Sequence, residues 1–165
     1  MVQLEQELPS RYREMTDAEV AEAIDAARRT LGRDLTILGH HYQRDEVIRH
    51  ADLRGDSLDL SRRAAEARDA RYIVFCGVHF MAETAAILCA PHQVVVQPVI
   101  EALCPMAALA NEPDTAAAYE ALVGLWGNDV TPITYQNSVA AVKAYVGRHG
   151  GAVCTSSNAE RLFRW

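Results

Sequence analysis

This sequence holds no CxxC pair, no glycine-rich dinucleotide fingerprint and no P-loop. Its four cysteines, Cys76, Cys89, Cys104 and Cys154, are too widely spaced to form a recognisable metal or redox motif. They are expected as reduced thiols, some of them core residues. No apolar run approaches the ~20 residues of a membrane span, and the opening stretch MVQLEQELPSRYREM is too polar for a secretory signal. Excess positive charge is missing too. The net charge is −6, and the bases Arg11, Arg28, Arg29, Arg62 and Arg63 are scattered. These absences argue against nucleic acid as a main partner and against a membrane, and point to a cytoplasmic chain.

What is present is enough apolar material for a core: half of the 165 residues. Thr16 and Glu19 in TDAE form a capping-box pattern. Val20, Ile24, Ala27 and Leu31 then recur at helical spacing, and Gly32 suits the position just past a helix end. Five short apolar runs have strand character: residues 35–38, 72–76, 94–97, 133–135 and 152–154. Alanine-rich segments with helical periodicity lie between them. Strands alternating with helices predict an α/β fold of three-layer αβα units with parallel sheets.

The strand spacing divides the chain. Residues 1–33 read as an N-terminal helical segment and 34–110 as a first αβα domain. Residues 111–165 read as the start of a second αβα domain, which stops at AERLFRW inside an expected helix. A half-built sheet would leave an open edge and uncovered apolar surface. The organisation therefore predicts an N-terminal portion of a longer polypeptide.

The chemistry gathers at strand ends. If the first strand continues to Tyr42, His40 and Tyr42 project to one side and His41 to the other. Ligands of open parallel sheets bind beyond the carboxyl ends of strands, where His40 and Tyr42 would lie. Tyr135 and Asn137 repeat this spacing after the fourth strand. Asp56 with Ser57, and Thr155 with Ser156 and Ser157, fall at expected helix N-termini, which suit carboxylates or phosphates. Plain capping and ordinary hydrogen bonding account for each of these groups taken singly. Cys104 sits in a strand-end loop before Pro105, a better place for a metal than Cys76 or Cys89, although one cysteine cannot hold a metal alone.

Together the stretches LGHHYQRDEVIRHADLRGDSLDLSRRAAE, IVFCGVHFMAETAAIL, EALCPMA, ITYQNSVAAVKA and CTSSNA resemble the N-terminal half of the quinolinate synthase family, over about residues 30–160. The resemblance implies condensation of iminoaspartate (iminosuccinate) with dihydroxyacetone phosphate to quinolinate, on the route to NAD. It also implies a [4Fe–4S] cluster held by three cysteines, one from each of three similar α/β domains, whose open iron acts as a Lewis acid. Residue by residue, Cys104 matches the first cluster ligand. His40, Ser57, Tyr135, Asn137 and Ser156 match substrate-binding positions, and Tyr42 matches a tyrosine that assists proton transfer, with His40 as its catalytic neighbour. An L-aspartate-oxidising enzyme is the implied upstream supplier. The other cysteines match no ligand position.

The sequence departs from the family pattern at Val99 and Leu103 beside Cys104, and at YVGRHGGAVC, which is longer than the usual turn. The implied second and third cysteine ligands do not occur here, so the chain alone is expected to be inactive. The alternative is a degenerate, non-enzymatic α/β module that binds small carboxylate or phosphate ligands. A mononuclear metallohydrolase built on His40 and His41 is opposed by strand alternation, which should turn adjacent histidines apart.

Overall fold

A computed structural model describes residues 9–165. The expected N-terminal segment is therefore seen from Pro9 onward, and residues 1–8 lie outside the described part. After a short helix, α1 (Ser10–Arg13), comes α2 (Asp17–Leu31) with its full capping box. The Thr16 hydroxyl accepts from the Glu19 N–H, and the Glu19 carboxylate accepts from the Thr16 N–H at 2.7 Å. Gly32 ends the helix at φ 53°, a left-handed angle that favours glycine.

Six strands follow, all paired in parallel: β1 (Leu35–His40), β2 (Leu53–Gly55), β3 (Tyr72–Cys76), β4 (Val94–Val96), β5 (Ile133–Tyr135) and β6 (Ala152–Cys154). The first four form a sheet of order β2-β1-β3-β4, and the last two a separate pair. β2 is the strand the sequence pattern does not reveal. Its three residues, Leu-Arg-Gly, carry neither an apolar run nor a clear alternation, and they pair because β1 offers an edge.

Helices flank the larger sheet. On one face α4 (Ser57–Glu66) and α5 (His79–Leu88) pack over Leu38, Ile73 and Phe75, which with Leu60, Ala64, Phe80 and Ala85 form the main core. On the opposite face α2 and the short α3 (Asp45–Ile48) border an apolar groove of about 640 Å³ over Leu35, Ile37, Val74 and Cys76. Arg28 of α2 holds this side by donating to the His50 carbonyl and to Asp52, whose other carboxylate oxygen accepts from the Ile37 N–H. The arrangement is a parallel sheet between helical layers, as expected for three-layer αβα units. Gly39 permits the packing of α3 on β1: a Cβ there would lie 2.4 Å from Ile48 Cδ1 and 2.8 Å from Ala51 Cβ.

The β5–β6 pair carries α6 (Glu112–Trp126), α7 (Ala140–Arg148) and α8 (Ala159–Arg164) around it. At Gly151 a Cβ would meet the Pro132 carbonyl oxygen at 1.9 Å, so glycine is what lets the turn after α7 enter β6. The two sheets join where α5 meets α7. There Gln136, 1% exposed, donates from Nε2 to Thr84 Oγ1 at 3.1 Å. Among the described residues its Oε1 has no hydrogen-bond partner.

Candidate active site

Every residue singled out from the sequence lies at or just beyond a strand's carboxyl end, or at the helix start that follows it. The structure brings them together as two groups.

The first group surrounds the end of β1. His40 is the last strand residue and is buried, on the same sheet face as Leu38. The strand stops there, so the expected alternation fails at His41. The chain turns, and the His41 ring stacks on His40 at 4.4 Å between centroids instead of facing the other side. The cause lies on β2: His41 N donates to the Gly55 carbonyl at 3.3 Å, and His41 Nδ1 lies 2.9 Å from the same oxygen. Both bonds are supplied by the strand that the sequence concealed. Tyr42 completes a three-ring cluster, edge-on to both histidines at 4.8 and 4.4 Å, and is 83% exposed.

Burial pushes the His40 pKa below the usual histidine value, and His41 adds to the effect, while Asp56 opposes it. The Tyr42 N–H donates to His40 Nδ1 at 3.4 Å. A neutral His40 therefore carries its proton on Nε2, where it can donate to a bound oxygen. Ser57 is the first residue of α4. The Asp56 side chain caps that helix, accepting from the Leu58 N–H at 3.0 Å and the Asp59 N–H at 2.9 Å.

The second group spans the loop after β4 and the ends of β5 and β6. Tyr135 OH and Ser156 Oγ are 2.8 Å apart. Asn137 Nδ2 donates to Cys104 Sγ at 3.6 Å. Thus two expected substrate-binding residues touch each other, and a third touches the expected metal ligand. Ser156 and Ser157 precede α8 rather than open it. They lie in a turn closed by the Asn158 side chain, which accepts from the Thr155 N–H at 2.7 Å. Among the described residues no hydrogen bond, ion pair or ring contact joins the two groups.

Of the remaining thiols, Cys154 is buried and Cys76 and Cys89 are half-buried. Burial pushes the thiols of Cys76 and Cys89 up, and Cys154 is buried at the end of β6. Among the described residues no set of three or more His, Cys, Asp or Glu side chains converges as a metal site. Cys104 is one thiol beside the Asn137 amide. The donors present do not fit a closed iron–sulfur site. The flanking Val99 and Leu103 are 56% and 68% exposed.

Sequence reasoning overlooked a polar network beside this second group. His79 and Glu83 lie one turn apart on α5, with Nε2 and Oε1 at 3.6 Å. His79 Nδ1 is 3.1 Å from Gln97 Oε1, and Gln97 Nε2 donates to the Gly77 carbonyl. Glu83 Oε2 accepts from the Ala140 N–H at 3.1 Å. Lys143, the only lysine in the sequence, donates to the Ser138 carbonyl at 2.7 Å and lies over the Phe80 ring at 5.3 Å. Burial lowers its pKa to about 8, against an opposing pull from Glu83. The i,i+4 His-Glu spacing inside FCGVHFMAETA and the solitary lysine were the available signals.

The described residues contain no helix long and apolar enough to cross a membrane. A family model described as "Quinolinate synthetase A protein" matches residues 22–165. The chain is 49% identical over 158 residues to the quinolinate synthase of Bacillus velezensis, covering 96% of this chain and 43% of that protein. It is 51% identical over 158 residues to that of Bacillus licheniformis, with the same coverage, and 47% identical over 165 residues to that of Anoxybacillus flavithermus, covering 100% and 45%. The chain thus spans less than half the length of these curated relatives. With a family model and near-half identity running along almost all of it, the chain belongs to the quinolinate synthetase A protein family.

Proposed function

We propose that this chain forms part of a quinolinate synthase, which condenses iminoaspartate with dihydroxyacetone phosphate to quinolinate for NAD biosynthesis in the cytoplasm. The observation that carries the reading is the bond from Asn137 Nδ2 to Cys104 Sγ, which joins an expected substrate ligand to the expected metal ligand. The reading divides the chain at residues 33 and 110, the segment from 111 onward opening a second αβα domain.

Each residue has a role its surroundings allow. Neutral His40 offers its Nε2 proton to a substrate oxygen. The exposed Tyr42 hydroxyl exchanges a proton with the triose as its carbonyl shifts. Ser57, in the first turn of α4, and the Tyr135–Ser156 pair hold carboxylate or phosphate oxygens. Asn137 orients ligands beside the sulfur. Cys104 would supply one thiolate to a [4Fe–4S] cluster, for which the described residues hold no further ligands. The chain alone is therefore inactive and holds no stable cluster. Iminoaspartate would be supplied by an L-aspartate-oxidising enzyme.

Two measurements test this reading. In calorimetry without iron, a four-carbon dicarboxylate should bind the chain weakly, and Tyr135→Phe or Asn137→Ala should weaken it further. Binding indifferent to both substitutions would remove the site. Anaerobic reconstitution with iron and sulfide should give no stoichiometric [4Fe–4S] signal, and a full signal from isolated monomeric chain would contradict the assignment of Cys104 as one ligand among several.

A further inference from the structure

α7 begins with a gap in its own chemistry. Val139 stands at its N-cap and has no side chain able to accept a hydrogen bond. The nearest polar side chain in sequence, Ser138, is already turned away, donating to the Tyr135 carbonyl at 2.8 Å. The missing acceptor comes from 57 residues earlier: Glu83 of α5, whose Oε2 receives the Ala140 N–H. A carboxylate there also faces the positive end of the helix dipole.

The same carboxylate is tied to the loop that carries Cys104. Glu83 Oε1 faces His79 Nε2, and the His79 backbone N–H donates to the Ala102 carbonyl at 2.8 Å, two residues before the cysteine. Gln97 donates its amide N–H to the Gly77 carbonyl, so its oxygen faces His79 Nδ1 at 3.1 Å and fixes the ring on its other side. Lys143 pins the Asn137 turn from below through the Ser138 carbonyl, with Glu83 as its compensating charge. A chain of polar links thus runs from the exit of β4, past the Cys104 loop, to the helix that follows Asn137.

We propose that Glu83 is a positioning residue: reaching from the first sheet's helix α5, it caps α7 and thereby sets the Asn137 turn against the Cys104 loop. Cys104 and Asn137 are 33 residues apart and follow strands of different sheets, so their bond requires a fixed spacing between those sheets. Gln136 and Phe80 fill the joint, but neither supplies a directional tie to the start of α7. Glu83 supplies that tie. Its removal would also leave the Lys143 ammonium half-buried without its counter-charge.

The assignment rests on the proposed function only in treating the Cys104–Asn137 contact as part of a site, and its test needs no turnover. The chain is prepared as wild type, E83A, E83Q and N137A. Amide hydrogen exchange at Ala140 and alkylation of Cys104 by iodoacetamide, read peptide by peptide, are then compared. E83A should speed Ala140 exchange by about tenfold, the equivalent of one ordinary hydrogen bond. It should also change Cys104 alkylation in the same direction as N137A. E83Q, which keeps an oxygen acceptor, should stay within about twofold of wild type at Ala140. Should E83A fail to fold, E83D, one methylene short of the helix, takes its place with the same expected outcome. Wild-type protection of Ala140 in folded E83A or E83D overturns the proposal. Unchanged Cys104 alkylation in N137A instead removes the Asn137–Cys104 contact on which the functional reading stands.

Discussion

At His40, burial and the stacked ring of His41 act in the same direction, both opposing the imidazolium. A histidine whose folded pKa lies below its unfolded value binds fewer protons when folded. Its contribution to stability is therefore complete above the ordinary value of 6.5 and is lost as pH falls through the depressed folded pKa. Replacing His41 by Asn removes the second cause, so the His40 titration followed by NMR should move up toward 6.5. A downward or absent shift would show that the two rings are not coupled. On the proposed function, His40→Ala in a quinolinate synthase containing this segment should abolish turnover, while His41→Asn should mainly cost the bond to the Gly55 carbonyl, about 1 kcal/mol by denaturant titration. Equal loss of turnover in two folded variants would sink this division of roles. Lys143 gives a second pH signature. Its folded pKa of about 8 lies below the ordinary 10.5, so the unfolded chain binds more protons between those values and stability should rise with pH across that window. Urea titrations at pH 8 and above should show the rise in the wild type and lose it in Lys143→Met.

Among the elements, β1 and α4 do the most to place the first group of side chains. α4 starts where Asp56 takes two backbone N–H groups, which fixes Ser57 in the first turn beside the end of β2. Asp56→Ala should cost about 1 kcal/mol in a denaturant midpoint series. It should also lower the His40 pKa further, because Asp56 is the one charge that favours the protonated ring. Gly39→Ala tests the strand itself. The new methyl would sit within 2.8 Å of Ala51 and closer still to Ile48, so the Ile48 side chain must turn and the turn after α3 must shift, at roughly 1–3 kcal/mol. A variant as stable as wild type would mean that α3 is not held against β1. The expected first helix, with its capping box and terminal glycine, matches α2 because its signals lie within one helical stretch. β2 and the stopping point of β1 could not be read in that way. A three-residue strand has no periodicity to detect, and the His41 ring turns back onto His40 because its Nδ1 lies against the Gly55 carbonyl, fourteen positions away.

For the whole molecule, the decisive feature is the joint between the two sheets. Gln136 lies there with a buried oxygen that has no partner among the described residues. Gln136→Met keeps the volume and removes the orphaned acceptor, so its stability should stay within about 1 kcal/mol of wild type. A much larger loss would point to the Thr84 bond as the principal tie across the joint. Five of the six strands, the parallel α/β class and the family were legible along the chain, because periodicity, caps and short motifs are properties of neighbouring residues. The meeting of Tyr135 with Ser156, of Asn137 with Cys104 and of Glu83 with Ala140 was not legible. These partners lie 21, 33 and 57 positions apart. Local propensity carries no record of such distances; they follow from how the sheets pack and where each strand stops. The pattern HHY shows the same division. Its residue types are those that proton-transfer sites recruit, but a carbonyl on a neighbouring strand turns the second histidine onto the first.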